Sequence, residues 1–191
     1  MTSQIILASA SPRRRELLDQ IKVSYQVYAV DLDETPLPNE QPLAYVQRVA
    51  AEKSALCVAK LNPTLPVLAA DTSVILGDII IGKPKDQADA LAMLRLLSGR
   101  THQVVSAVSL RGSEHFEAIS ITEVTFRDLS EQEILAYWQT GEPLDKAGAY
   151  AIQGVGGLFV QSIVGSFSGV VGLPLFETAQ LLSKQGIKLI K

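Results

Sequence analysis

Three arginines follow directly on a Ser-Ala-Ser-Pro stretch, giving Ser9-Ala10-Ser11-Pro12-Arg13-Arg14-Arg15. An apolar run over 5–8 ends just before it, and Ser11-Pro12 reads as an N-cap with proline at the first helical position. A helix start offers free backbone N–H groups and the positive end of the helix dipole, which favour an anion. Arg13 and Arg14 add fixed, bidentate donors suited to phosphate, with Ser9 in the preceding loop. Three cations in a first turn oppose that dipole. A negative ligand is therefore favoured over a solvated basic face.

Two further charges stand where apolar residues are expected. Lys53 falls within the stripe formed by Leu43, Val46, Ala50 and Cys57 on a helix over 43–61. It either snorkels its ammonium past the edge of the core or aims it into a cleft. Asp71-Thr72-Ser73 interrupts the run Val67-Leu68-Ala69-Ala70 and Val74-Ile75-Leu76. A carboxylate at the end of a buried strand is costly unless paired or metal-bound. Ligands of open α/β sheets bind beyond the carboxyl ends of strands, which favours a site carboxylate over a turn cap. The acidic stretch Asp31-Leu32-Asp33-Glu34 reads as a solvated loop, or, beside Asp71, as oxygen ligands for a divalent ion.

Two glycine-bearing segments pull in different directions. Gly77-Asp78-Ile79-Ile80-Ile81-Gly82-Lys83-Pro84 has the spacing of a phosphate-binding P-loop up to its last residue. Pro84 supplies no hydroxyl for magnesium, and Ile79-Ile80-Ile81 reads as a strand, so an ATPase P-loop is rejected. Lys83 can still meet phosphate as a point charge. The stretch from Asp145 to Gly157 is small and Gly-rich, which suits either a tight turn or close backbone approach to a ligand. Within it, Gln153 carries a donor and an acceptor able to read a base edge.

The elements that must carry these residues alternate. Strands are expected over 5–8, 24–30, 67–70, 103–110, 116–126 and 158–164, with a hairpin of 74–76 and 79–81. Helices are expected over 13–20, 43–61, 85–97, from a capping box at Ser130-Glu131-Gln132-Glu133 to Trp138, and over 175–184. This is an α/β pattern with a mixed, twisted sheet and flanking helices, in one domain over 1–191.

Composition narrows the chemistry. With 47% hydrophobic and 19% charged residues the chain is globular rather than disordered, and a net charge of −3 argues against a duplex nucleic-acid partner. The single cysteine, Cys57, excludes an intrachain disulfide and a Cys zinc cluster. His102 and His115 are the only histidines, so a metal would need oxygen ligands. No stretch suits a signal peptide or a membrane span, and a cytoplasmic location is expected.

The segments Leu7-Ala8-Ser9-Ala10-Ser11-Pro12-Arg13-Arg14, Asp33-Glu34-Thr35, Glu52-Lys53, Ala70-Asp71-Thr72, Gly82-Lys83-Pro84, Leu97-Ser98-Gly99, Asp145 to Tyr150 and Val171-Gly172-Leu173-Pro174 resemble the Maf family of nucleoside triphosphate pyrophosphatases. The resemblance runs in order along essentially the whole chain. It implies two lobes around a central cleft, related to the inosine triphosphate pyrophosphatase architecture. It also implies a divalent metal, Mg or Mn, hydrolysis between the α- and β-phosphates, and a homodimer. On the family's pattern Asp71 is the catalytic carboxylate, and Glu34 joins it as a metal ligand. Ser9, Arg13, Arg14, Lys53, Thr72, Lys83 and Gln153 fall at substrate-binding positions. Arg13, Thr72 and Gln153 are similar to the dTTP/UTP subgroup, with modified pyrimidine nucleotides as further candidates. The alternatives are a preference for 7-methyl-GTP, or a nucleotide sensor that regulates a partner such as the cell-division machinery.

Overall fold

The computed structural model describes residues 2–190. Its centre is a seven-stranded mixed sheet with strand order β2-β1-β3-β5-β6-β7, to which β4 adds alongside β3. The strands are β1 (Ile5–Leu7), β2 (Tyr25–Val27), β3 (Val67–Leu76), β4 (Ile79–Ile81), β5 (Thr101–Arg111), β6 (His115–Phe126) and β7 (Val160–Val164). Both pairings of β1, with β2 and with β3, are parallel, and all others are antiparallel. Helices α1 (Pro12–Gln20), α2 (Pro42–Leu61), α3 (Gln87–Leu97), α4 (Glu131–Gln139), α5 (Phe167–Val171) and α6 (Leu175–Lys184) flank the sheet. No helix among the described residues is long and apolar enough to cross a membrane.

The fold corrects the expectation that Asp71 ends a strand. The pieces expected over 67–70 and 74–76 are one continuous strand, β3. The reason is β5, which pairs with β3 at every position from Val67↔Arg111 to Ile75↔Gln103. That ladder carries the strand through Asp71, Thr72 and Ser73 whatever their side chains, giving alternate residues their backbone partners.

The other edge of β3 is different. There β1 pairs only with Val67 and Leu68, and β4 only with Val74 to Leu76. Residues 69–73 have no strand partner on that side, so the carboxylate sits in a gap between the ends of β1 and β4. Gly77, at φ +60°, makes the tight turn that folds β4 back.

Strand alternation then sorts the faces. Val67 and Ala69 pack with Cys57 of α2, and Ile75 with Val46, Val49 and Ala50 of α2. Leu68 and Ala70 pack with Leu17 and Leu18 of α1, whereas Val74 meets Leu94 of α3. One apolar cluster therefore gathers at the β1 end of the sheet and another at the β4 end. The long strands β3, β5 and β6 run through both, and the gap at Asp71 lies between the two lobes.

Smaller differences have local causes. The strand expected over 24–30 shrinks to β2, and that over 158–164 starts at Val160 because Val155–Phe159 coils into a 3-10 turn. Asp86 caps α3 by accepting from the Asp89 N–H, which moves its start past residue 85. The capping box of α4 forms as expected. Ser11 stands at the N-cap of α1 without a side-chain cap bond, and Leu43 is 41% exposed in the first turn of α2, before that helix reaches the sheet. Helix α5 was not anticipated: its five residues carry no helical period long enough to register.

Candidate active site

Lys53 resolves the choice left open by its position on α2. Its Nζ lies 2.9 Å from Asp71 Oδ1 and 2.8 Å from Glu34 Oε1. The ammonium is buried with Asp71, and the two carboxylates share it. Removing a carboxylate and an ammonium from water is costly, and the pairing offsets that cost. Of the acidic loop, only Glu34 reaches the cleft. Asp33 instead accepts from the Thr35 N–H and hydroxyl in a local turn, and Asp31 is exposed. Tyr45, two helical turns before Lys53, lines the same wall. Burial, reinforced by the Asp71 and Glu34 charges, pushes its phenol up to about 12.

The opposite wall is the start of α1. Ser9 Oγ accepts from the Ser11 N–H at 3.2 Å and from Arg14 Nη1 at 3.0 Å. Arg14 Nε donates to the Gly172 carbonyl at 2.9 Å, so the guanidinium is fixed before any ligand arrives. Burial lowers the pKa of Arg14, and the Asp71 charge is the largest influence opposing that shift. Burial likewise lowers Arg13, whose strongest opposing influence is Asp145. The first turn of α1 contains no acidic residue, so its dipole is left for an incoming anion.

A cavity of about 620 Å³ joins these walls, a size suited to a small-molecule ligand. Ser9, Arg13, Arg14, Glu34, Lys53, Asp71, Thr72, Lys83 and Gln153 all line it. The structure thus brings together the nine residues that the family pattern places at site positions, while Asp31, Asp33 and Arg15 stay outside the lining. The charged lining has five cationic side chains, Arg13, Arg14, Lys53, Lys83 and Lys146, against three carboxylates, Glu34, Asp71 and Asp145. A protein of net charge −3 therefore concentrates positive charge in one cleft. A side cavity of about 390 Å³ shares Arg13 and Gln153 with it and is floored by Leu17, Phe167 and Leu175.

The family model described as Maf-like protein matches residues 4–185. The chain belongs to the Maf-like family. A protein of Methylococcus capsulatus named dTTP/UTP pyrophosphatase is 54% identical over 185 residues, covering 96% of this chain and 92% of the relative. Proteins of the same name from Myxococcus xanthus (54% over 185 residues, 97% and 94% covered) and Escherichia coli (52% over 184 residues, 96% and 93% covered) are similarly close. Among solved structures, the Staphylococcus aureus Ham1 protein aligns with a TM-score of 0.48 at 20% identity, over 65% of this chain and 72% of that one.

Against this Maf-like frame, sequence reasoning missed several contributors. Lys146 lines the cleft, its pKa lowered by burial and by Arg13. Tyr45 was legible as the i−8 neighbour of Lys53 on one helix face. Ser106 was not, because it is a buried serine inside an apolar strand. Its hydroxyl donates to the Gly169 carbonyl at 2.7 Å and lies 2.7 Å from Thr72 Oγ1. With its proton given to Gly169, Ser106 can only accept from Thr72. Thr72 therefore donates to Ser106, with the Gly172 carbonyl 3.4 Å away as its second acceptor, and keeps a lone pair with which to accept. Among the described residues no three His, Cys, Asp or Glu side chains gather as metal ligands.

Proposed function

We propose that this protein hydrolyses dTTP and UTP to the nucleoside monophosphate and pyrophosphate. The carrying observation is the ammonium of Lys53 shared by Asp71 and Glu34 in the gap of β3, across the cleft from the arginines of α1. A site built only to hold a triphosphate gains little from two carboxylates. A site that must activate water beside a polyphosphate needs both signs of charge. The names of the relatives agree with this reaction and supply the base class.

In this reading Arg13, Arg14 and Lys83 hold the triphosphate. Arg14 is pre-positioned by Ser9 and Gly172, so little order is lost on binding. Lys53 holds Asp71 Oδ1, and Oδ2, which takes no hydrogen bond from the described residues, receives a proton from water aligned on the α-phosphorus. Pyrophosphate departs toward the cationic side chains.

Glu34 and Asp71 also suit Mg or Mn. Magnesium commonly binds through one or two carboxylates, with water and substrate phosphate completing its shell, and needs no three-residue protein cage. When bound, such an ion supplies neutralisation of phosphate charge. At the base, Gln153 offers an amide to a carbonyl, and the acceptor face of Thr72 suits the ring N–H of thymine or uracil. Cytosine lacks that N–H.

The test is chromatography of the products from a panel of dTTP, UTP, CTP, ATP and GTP. Monophosphate plus pyrophosphate is expected, with dTTP and UTP preferred. A diphosphate with orthophosphate as first products refutes the cleavage point.

A further inference from the structure

Gln153 is exposed at the tip of a glycine-rich loop, and its side chain makes no hydrogen bond with the described residues. Its position is therefore set by its backbone alone. That backbone is tied on both sides of Gln153 to one point. On one side, the Ala151 N–H donates to the Tyr137 hydroxyl at 3.0 Å. On the other, the Val155 and Gly156 N–H groups donate to Glu142 Oε2 and Oε1, each at 2.9 Å. Tyr137 closes the circuit by donating its own proton to Glu142 Oε1 at 2.7 Å.

The loop is shaped around this pair. A Cβ on Gly154 would collide with the Glu142 carboxylate, and one on Gly156 would come within 2.5 Å of the Tyr137 hydroxyl. Tyr137 is 2% exposed and packs edge-on against Phe159, so the anchor stands on the core of one lobe. Backbone and phenol donors hold Glu142 below the usual carboxylate range despite its burial. Neither residue touches the phosphate side of the cleft.

We propose that Glu142 and Tyr137 are positioning residues for base discrimination: they fix the span 151–156 so that the Gln153 amide meets the base edge. The inference rests on the proposed pyrophosphatase reading. It makes the anchor matter for which nucleotide is chosen and not for how the anhydride is cleaved. Glu142→Gln is the sharpest variant, since it keeps size but offers NH₂ to an N–H that needs an acceptor. Misplacing a binding group by about 1 Å can cost on the order of 10²-fold, and loss of a directed hydrogen bond costs comparable discrimination.

The expected result for Glu142→Gln is a dTTP to GTP ratio of kcat/KM lowered about tenfold or more. The change appears in KM for dTTP, with kcat within about threefold of wild type. Tyr137→Phe should move the ratio the same way. Leu181→Ala, a destabilising change in the other lobe, should lower Tm without moving it. Amide hydrogen exchange of Ala151, Val155 and Gly156 should speed by at least tenfold in Glu142→Gln. The same ratio is also read as Kd for non-hydrolysable dTTP and GTP analogues. If wild type releases no pyrophosphate from dTTP, the proposed function fails, and the Kd ratio and the exchange rates still decide the anchor. If exchange quickens but neither ratio moves, or if Leu181→Ala moves the ratio equally, the positioning role is overturned.

Discussion

Replacing Asp71 with asparagine separates the chemistry of the site from its architecture. Removing one partner of a buried ion pair typically costs about 3–5 kcal/mol, because the other charge is left uncompensated. That does not apply here, since Glu34 still holds the Lys53 ammonium at 2.8 Å. Asparagine also keeps an oxygen where Oδ1 now accepts from Lys53 at 2.9 Å. The remaining loss is an ion pair reduced to a bond from an ammonium to a neutral amide oxygen, about 1 kcal/mol. For a domain of this size that lowers Tm by roughly 2–4 °C. The amide, however, cannot take a proton from water. Loss of a positioned base lowers kcat by roughly 10²–10⁴-fold, or about 3–5 kcal/mol of barrier. The assay is single-substrate pyrophosphate release from dTTP, run beside thermal unfolding of the same preparations. A variant that melts within a few degrees of wild type and turns over within tenfold of its rate would remove Asp71 from the chemical step.

Two further outcomes are expected. Turnover of dTTP should stop with a chelator and return with added Mg or Mn, read as pyrophosphate release before and after dialysis; full activity in the chelator would deny Glu34 and Asp71 a metal role. Stability should fall in mild acid because of His102, whose burial holds its imidazole at about 4 against an ordinary 6.5. The unfolded chain takes up this proton and the folded one does not. The contribution is therefore present in full above about pH 6.5 and is lost as pH falls to about 4, amounting to about 3 kcal/mol. Urea midpoints measured across that window should decline in wild type, and His102→Gln should flatten that part of the slope.

The sequence was most legible where a residue contradicted its local pattern. Three arginines against a helix dipole, a lysine in an apolar stripe and a carboxylate in an apolar strand each oppose a local preference, and Arg13, Arg14, Lys53 and Asp71 line one cavity. Residues that obey their pattern carried no such signal. Ser106 sits in β5 as an ordinary small residue, and its part in turning Thr72 is a matter of register with β3, Thr72↔Ser106. Glu142 reads as a surface glutamate after α4, since nothing local shows that a loop about ten residues later will fold over it. The glycines at 154 and 156 hinted at close approach, but they did not reveal what approaches. That information is tertiary.

The misjudged strand break at Asp71 has the most to say about how the site arises. A polar triplet was expected to end a strand, because a buried carboxylate is costly without a partner and ligands of open α/β sheets bind beyond the carboxyl ends of strands. The strand instead continues, since β5 pairs with it throughout, and the opening lies on its other edge. Both strands that flank residues 69–73 stop short: β1 ends at Leu7, and β4 reaches only to Val74. The chain leaving β1 turns at once into the Ser9–Pro12 loop and α1, so the stop that exposes Asp71 is the same event that delivers Arg13 and Arg14 opposite it. Were β1 two residues longer, it would pair with Ala69 and Ala70 and carry α1 away from the carboxylate. Placing acid and arginines on two sides of one gap thus follows from where a three-residue strand ends and from the short loop that carries the chain from Leu7 to the helix start at Pro12.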